Sequence, residues 1–274
     1  MIITRYTFIA SEFKRRGLNT FWKKHITSPV INAIGRKISN RHFQEAPIFI
    51  GGCGRSGTSL LLSILSAHAK IFTFPHEVDA HTSWIEKGGK IIPERIDRLY
   101  RHLIWSSIPK SADRWCEKRP YNVRYIPEIL SYYGAQCKFI HIIRDPRAVC
   151  TSIHPEKPKE YWVPIERWVT DVSVGLLFEN NPQVSTVKYE DLVGNTQLTI
   201  ENLCHFLGIE YDHRIKEWLQ YARVKTNRAW FDELGEIQSD SLHKWKEAEH
   251  SQRIQEILNH KEVLLLMKRL DYAQ

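Results

Sequence analysis

Residues 49–60 read FIGGCGRSGTSL, and this stretch decides the fold. A short apolar run ends in glycines, and leucines at helical spacing follow the run RSGTS. Glycines let a backbone fold back so that its N–H groups converge on an anion, and the positive end of the next helix adds to the attraction. The stretch therefore predicts an anion-binding turn between a buried strand and a helix.

The turn differs from the loop that binds nucleoside triphosphates, which reads GxxxxGK[ST]. Gly52 and Gly57 fit that pattern, but Thr58 stands where the pattern has its lysine. That lysine reaches the β- and γ-phosphates, so its absence argues against ATP or GTP as donor. The candidate anion-binding residues of the turn are Arg55, Ser56, Gly57, Thr58 and Ser59.

A second buried strand lies further along the chain, where residues 138–152 read KFIHIIRDPRAVCTS. It delivers Arg144 to its carboxyl end, the edge at which open parallel sheets bind ligands. Ser152 follows eight residues later, and we expect it in the next helix. A forked guanidinium with a hydroxyl suits a terminal phosphate. The alternative for Arg144 is an ion pair with Asp145, and Arg147 is open to the same interpretation.

Strands and helices alternate through the rest of the chain, which predicts an α/β domain with a parallel sheet covered on both faces. We assign this domain to residues 46–274. Further strands are predicted at 71–74, 115–118 and 184–189. Helices are predicted within 91–105 after Pro93, and at 123–133, 147–153, 160–178, 196–207 and 251–269.

Residues 1–45 differ in composition, because Lys and Arg are frequent and aromatic and aliphatic residues lie between them. This pattern predicts a basic amphipathic, helical extension that is broken near Pro29. Two interpretations stay open. The extension docks on the main domain, or it contacts an anionic membrane.

Composition narrows the class of protein. The formal net charge is +8, yet no nucleic-acid-binding signature accompanies it, so nucleic acid is not an expected partner. The five cysteines have no spacing typical of zinc, and no metal site is predicted. No signal peptide and no apolar run of about 20 residues is visible. We therefore expect a cytoplasmic protein with free thiols, either free or peripheral to a membrane.

Residues 49–62 resemble the 5′-phosphosulfate loop of sulfotransferases that use 3′-phosphoadenylyl sulfate (PAPS), in the arginine-bearing form of tyrosylprotein sulfotransferases and many bacterial members. The resemblance continues in order along residues 47–272. It implies a P-loop, nucleoside-kinase-like fold and PAPS as co-substrate. It also implies that Arg144 and Ser152 hold the 3′-phosphate, although Glu156 lies where some relatives have a further arginine.

The same resemblance implies roles for the reacting groups. Glu77 matches the general base if one residue is inserted in this sequence, and His76 is its rival. Lys118 matches the catalytic lysine that, with Arg55, offsets charge on the bridging oxygen, and Arg119 replaces an aspartate of some relatives. Three further implied residues belong to nucleotide binding and closure: Tyr189, Lys244 and the adjacent Trp245.

The resulting hypothesis is in-line transfer of a sulfuryl group to an acceptor hydroxyl of a carbohydrate, peptide tyrosine, lipid, small alcohol or phenol. Residues 78–113 are predicted to shape the acceptor pocket with His81, Trp84 and Trp105. Two alternatives stay open: a small-molecule kinase that uses the same loop, and a non-catalytic protein that binds a nucleotide or an anionic membrane. The sequence indicates no particular oligomeric state.

Overall fold

The central feature is a five-stranded sheet. The computed structural model describes residues 27–154, 156–225 and 242–272. The strands are β1 Ile48–Gly52, β2 Ile71–Thr73, β3 Trp84–Lys87, β4 Lys90–Pro93, β5 Arg114–Lys118, β6 Lys138–Ile143, β7 Ile153–His154, β8 Lys157–Tyr161 and β9 Val184–Lys188. The central sheet has the order β2-β5-β1-β6-β9, and every neighbouring pair in it is parallel.

Helices cover both faces of this sheet. They are α1 Ser28–His42, α2 Thr58–Ala67, α3 Ile96–Trp105, α4 Ile126–Tyr133, α5 Pro146–Cys150, α6 Ile165–Leu176, α7 Tyr189–Gly194, α8 Thr196–Leu207, α9 His213–Lys216, α10 Trp218–Tyr221, α11 Ser251–Asn259 and α12 Lys261–Arg269. The predicted α/β fold with a parallel sheet is confirmed.

Alternating residues of β1 divide the core. Ile48 and Ile50 belong to a cluster with apolar residues of α2 and α8, whereas Phe49 belongs to a second cluster with α3 and α4. Because successive side chains of a strand point to opposite faces, a fully apolar run marks a strand that is buried on both sides. This is why the apolar run at 48–50, before the glycines, predicts a buried strand.

Several predicted helices are shorter than expected or interrupted. Residues 91–95 are not helical, because Gly88 and Gly89 adopt φ of 60° and 70° and close a tight hairpin between β3 and β4. The 160–178 helix begins only at Ile165, after β8. His260 interrupts the C-terminal helix, so that 251–269 forms two helices.

The described part of the predicted extension is a single helix, α1, which packs against α3. A Cβ on Gly35 would lie 2.2 Å from the Cβ of Tyr100, so the two backbones approach closely. Ser28 Oγ donates a hydrogen bond to Asp97 (3.3 Å). Residues 1–26 lie outside the described residues, and the boundary at residue 45 stays a prediction. No helix among the described residues has the length and apolar character needed to cross a membrane.

Candidate functional site

The turn after β1 has a backbone shaped for an anion. Arg55 and Gly57 adopt φ of 68° and 92°, which folds the chain back before α2 begins at Thr58. Ser56 is fully buried, and its hydroxyl has no hydrogen-bond partner among the described residues. Buried polar groups normally have partners, so an unsatisfied hydroxyl in such a turn indicates a site for a ligand oxygen. Thr58 and Ser59, both buried, add two further hydroxyls at the helix start.

Two arginines converge on this turn. Arg144, directly after β6, donates from Nη1 to the carbonyl oxygen of Arg55 (3.1 Å). Its guanidinium lies 4.0 Å from the centre of the Tyr189 ring, and the guanidinium of Arg55 lies 5.0 Å from that of Trp162. Burial lowers the pKa of the Arg55 guanidinium, and the nearby charge of Arg144 lowers it further. Two partly desolvated cations held side by side favour an anion between them.

Tyr189 closes the turn from the side. It is the first residue of α7 and is buried. A Cβ added to Gly57 would lie 2.3 Å from its ring, so only glycine fits beneath the tyrosine. The structure thus brings the loop, Arg144 and Tyr189 together, as the sequence predicted.

Ser152 does not lie in the helix where it was predicted. The helix α5 ends at Cys150, so Ser152 lies beyond the helix rather than inside it. Its hydroxyl donates to the carbonyl oxygen of Ala148 (3.0 Å). The helix is short because the chain turns into the β7–β8 hairpin at Ile153. Binding of a phosphate by Ser152 therefore stays a prediction.

Glu77 and Lys118 form a direct pair at the same edge of the sheet. Lys118 ends β5, where it is in register with Ile50 of β1. Its Nζ lies 2.9 Å from Glu77 Oε1. Only 2% of the Lys118 side chain is exposed, against 39% for Glu77. The pair therefore consists of a buried cation and a carboxylate that solvent, or an acceptor, can reach.

The rival base, His76, is exposed, and its sequence neighbour Glu77 makes the contact with Lys118. Burial lowers the pKa of His102 on α3, and the proximity of His76 lowers it further. Arg119 extends the charged group around Glu77. Its Nε lies 3.8 Å from Glu77 Oε2 and 3.1 Å from Asp79 Oδ1. Arg119 replaces an aspartate that some relatives have, and Asp79 places a carboxylate beside this arginine.

A cluster of buried polar side chains surrounds Glu117, the residue that precedes Lys118 in β5. Glu117 Oε2 accepts a hydrogen bond from Asn122 Nδ2 (2.6 Å) and lies 3.9 Å from His81 Nδ1. His81 Nε2 lies 2.9 Å from the Tyr133 hydroxyl. Burial raises the pKa of Glu117 to about 7 and lowers the pKa of His81 to about 3. His81 belongs to this buried group, and its predicted contact with an acceptor has no support in this arrangement.

The segment with Lys244 and Trp245 packs beside Arg147 of α5. The guanidinium of Arg147 lies 4.2 Å from the centre of the Trp245 ring and pairs with Asp145 through Nη2–Oδ2 (2.7 Å). Arg147 therefore has the ion-pairing role that we considered for it. Lys244 itself is exposed. Its contact with a nucleotide stays a prediction.

Two neighbours of the site gave no recognisable signal in the sequence. Trp162 stacks on Arg55, but tryptophans are frequent in this chain and its hairpin was not predicted. Arg167 approaches the loop, since a Cβ on Gly54 would lie 3.2 Å from Arg167 Nη2. Arg167 Nε also lies 3.3 Å from the buried carboxylate of Asp171. Helical spacing alone does not distinguish such an arginine from a solvated one.

Metal-ligating groups lie elsewhere. Within the described ranges, the three residues close enough to share an ion are Glu247, Glu249 and His250, and both glutamates are exposed. These residues follow the Lys244 segment and include none of the predicted site residues. The absence of a metal from the reaction stays a prediction.

Comparison with known proteins gives a consistent result. The model of the Sulfotransferase family matches residues 47–213. A Caenorhabditis briggsae protein named as a protein-tyrosine sulfotransferase is 29% identical, over 62% of this chain and 68% of its own. Protein-tyrosine sulfotransferase 2 of Gallus gallus is 23% identical, over 65% of this chain and 55% of its own. The chain thus spans little more than half of the latter relative.

Solved structures share the fold. The sulfotransferase domain from the curacin biosynthetic pathway superposes with a TM-score of 0.61 at 19% identity, covering 84% of this chain and 99% of that domain. A mouse sulfotransferase in complex with 3′-phosphoadenosine 5′-phosphate (PAP) gives a TM-score of 0.50 at 17% identity, covering 86% and 94%.

Proposed function

Because this chain belongs to the sulfotransferase family, we propose that it transfers a sulfuryl group from PAPS to an acceptor hydroxyl. The observation that carries the proposal is the contact of the Lys118 ammonium with the Glu77 carboxylate, one strand away from the anion-binding turn. A base, a buried cation and an anion site at one sheet edge are the groups that such a transfer requires. The PAP bound to the mouse relative supports the choice of donor.

We assign the donor to two anchors. The turn from Arg55 to Ser59 holds the 5′-phosphosulfate with backbone N–H groups, hydroxyls and the Arg55 guanidinium. Arg144 and Ser152 hold the 3′-phosphate, for which Ser152 must exchange its bond to Ala148 for one to the ligand. Tyr189 lies under Arg144 and borders the nucleotide, and Lys244 closes over it.

The transfer is an in-line displacement. The acceptor oxygen forms a bond to sulfur while the bond from sulfur to the bridging phosphate oxygen breaks, and the acceptor proton passes to Glu77. Lys118 and Arg55 offset the charge that grows on the leaving oxygen, as cations do in phosphoryl transfer. The exposed fraction of Glu77 leaves room for a hydroxyl to approach while Lys118 stays buried.

The names of the curated relatives favour a peptide tyrosine as acceptor. Carbohydrates, lipids and small alcohols or phenols remain candidates to be tested beside it. Labelled PAPS is incubated with one acceptor of each class, using Glu77→Gln as the inactive control. Label in one class identifies the acceptor, and absence of transfer to all classes, with PAP bound normally, would contradict the proposed catalysis and favour a non-catalytic binding protein.

Calorimetry tests the donor anchors separately. We expect PAP to bind more tightly than AMP, because AMP lacks the 3′-phosphate, and to do so equally with Mg²⁺ or with a chelator. Arg144→Ala should lower the PAP affinity by about 1.5–3 kcal/mol, the range for a hydrogen bond to a charged group, and should lower that of AMP less. Equal affinity of the wild-type protein for PAP and AMP would refute the second anchor, and tighter binding of ATP with Mg²⁺ would favour the kinase alternative.

A further inference from the structure

A face of α1, the first described helix, points away from the domain and combines apolar and basic side chains. Val30, Ile34, Lys37 and Arg41 follow one another at spacings of four, three and four, which puts them on one side of α1. Val30 and Ile34 are 52% and 48% exposed, and both basic residues are exposed as well. On the neighbouring α3, Trp105 is 84% exposed. We call these five residues the outward face.

The five residues lie on two helices that pack against each other, because α1 and α3 lie side by side and run in the same direction. The start of α1 contacts the start of α3 through Ser28 and Asp97, and its middle contacts Tyr100. Its end is joined to the residues after α3 by a hydrogen bond between His42 Nε2 and the Pro109 carbonyl oxygen (3.0 Å). Trp105 is the last residue of α3, the helix that packs against α1.

The charge of this surface is of one sign. The segment Ser28–His42 contains no Asp or Glu, and it carries Arg36, Lys37 and Arg41. The one carboxylate of α3, Asp97, is buried and pairs with Arg95 Nε at 3.1 Å. A partner for the outward face must therefore be anionic and must also accept exposed aliphatic and aromatic side chains.

We propose that the outward face binds the surface of a bilayer rich in anionic phospholipid. Basic side chains contact the headgroups, while Val30, Ile34 and Trp105 enter the interfacial region, as in helices that lie on a membrane. The aliphatic residues argue against nucleic acid, whose phosphates they cannot bind. A second copy of the same face would bring Lys37 and Arg41 against like charges. The proposal does not depend on the proposed reaction, since none of these residues belongs to the site.

The test uses the full chain and sedimentation with vesicles. We expect binding to phosphatidylcholine vesicles that contain 30% phosphatidylglycerol, little binding to pure phosphatidylcholine, and release at high salt. Lys37→Gln with Arg41→Gln should lower the partition coefficient roughly 30-fold, since each basic residue near an anionic surface contributes about a factor of five. Trp105→Ser should lower it roughly tenfold, the factor that partial burial of a large apolar side chain supplies.

The matched control lies on α12, where Lys261 and Lys268 are exposed and Leu265 between them is 68% exposed. Lys261→Gln with Lys268→Gln removes the same charge from a similar face and should change partitioning less than twofold. An equal loss in both double variants would refute the proposal, as would unchanged binding in the α1 variant, which would assign the contact to residues 1–26. Binding of an oligonucleotide but not of vesicles would also refute it. Thermal unfolding of each variant excludes misfolding as the cause.

Discussion

Replacing Lys118 with methionine should lower turnover without lowering the stability of the fold. Methionine keeps most of the buried stem and removes the ammonium. The remaining carboxylate of Glu77 is 39% exposed and still has Arg119 Nε at 3.8 Å, so no charge is left buried and alone. Replacement of a whole buried ion pair by apolar groups is often neutral, or stabilising by about 1–4 kcal/mol, and here the partner that remains is partly exposed to solvent. We expect the free energy of unfolding to stay unchanged or to rise, while turnover falls by about 10²–10³, the usual loss of one charge-stabilising group.

The reverse substitution, Glu77→Gln, should act differently because the pair is asymmetric. It leaves the buried Lys118 ammonium with an amide oxygen in place of a carboxylate. The lost charge assistance is worth about 1–2 kcal/mol once the exposure of Glu77 is considered, which lowers Tm by roughly 2–8 °C. Turnover should fall by about 10²–10⁴, the contribution of a positioned base.

The measurements are thermal unfolding of the free protein, turnover with labelled PAPS, and PAP affinity by calorimetry. His76→Ala is the control, because this exposed neighbour should change neither Tm nor turnover much. The reasoning is refuted if Lys118→Met lowers Tm more than Glu77→Gln does, or if it leaves turnover intact. Loss of turnover in His76→Ala with normal turnover in Glu77→Gln would instead reverse the two roles.

Three further substitutions test two closely packed glycines and one buried carboxyl group. Gly57→Ala should abolish PAP binding, because a Cβ would meet the Tyr189 ring at 2.3 Å and φ is 92°. Gly35→Ala should lower Tm and leave PAP affinity unchanged, because a Cβ would meet Tyr100 at 2.2 Å, away from the nucleotide. Burial raises the pKa of Glu117 from 4.5 to about 7, so its contribution to stability is present below pH 4.5 and is lost as pH rises toward 7. Glu117→Gln should flatten that part of the Tm–pH curve.

Gly194→Ala is a control for both glycine substitutions, since a Cβ there meets nothing within 4 Å. It should leave Tm and PAP affinity near their wild-type values. Normal PAP binding by Gly57→Ala would show that the loop can move away from Tyr189. A Tm–pH curve that keeps its slope in Glu117→Gln would assign the slope to another group.

The sheet was predictable from the sequence because its strands are apolar on both faces. The two short hairpins, β3–β4 and β7–β8, were not predictable in this way. The helix expected after Pro93 begins at Ile96, because the glycine pair at 88–89 favours a turn and the residues that follow it form β4. Ile153 lies in a two-residue strand whose partner, β8, is charged and exposed, so neither apolar periodicity nor alternation marks it. Such hairpins are determined by backbone geometry that a hydrophobic pattern does not contain.

The predicted anion turn and the pair of Glu77 and Lys118 lie at one edge because parallel strands bring their carboxyl ends together. The surroundings of the predicted pocket residues were harder to predict. His81 was expected in an acceptor pocket, yet its ring lies in the group around Glu117. Trp105 was expected there as well, but it lies at the end of α3 with most of its surface exposed. Aromatic composition alone does not indicate which side of a helix or loop faces the site.

The position of Lys118 at the end of β5 has a consequence for protein engineering. The strand is held on both sides, with Thr73 opposite Cys116 on one edge and Ile50 opposite Lys118 on the other. A slip of one residue turns every side chain of a strand to the other face. In β5 a slip in one direction would present the Glu117 carboxylate to Glu77, so that repulsion replaces attraction. Insertions and deletions for altering acceptor choice should therefore be made in surface hairpins such as Trp84–Pro93, and β5 should keep its length.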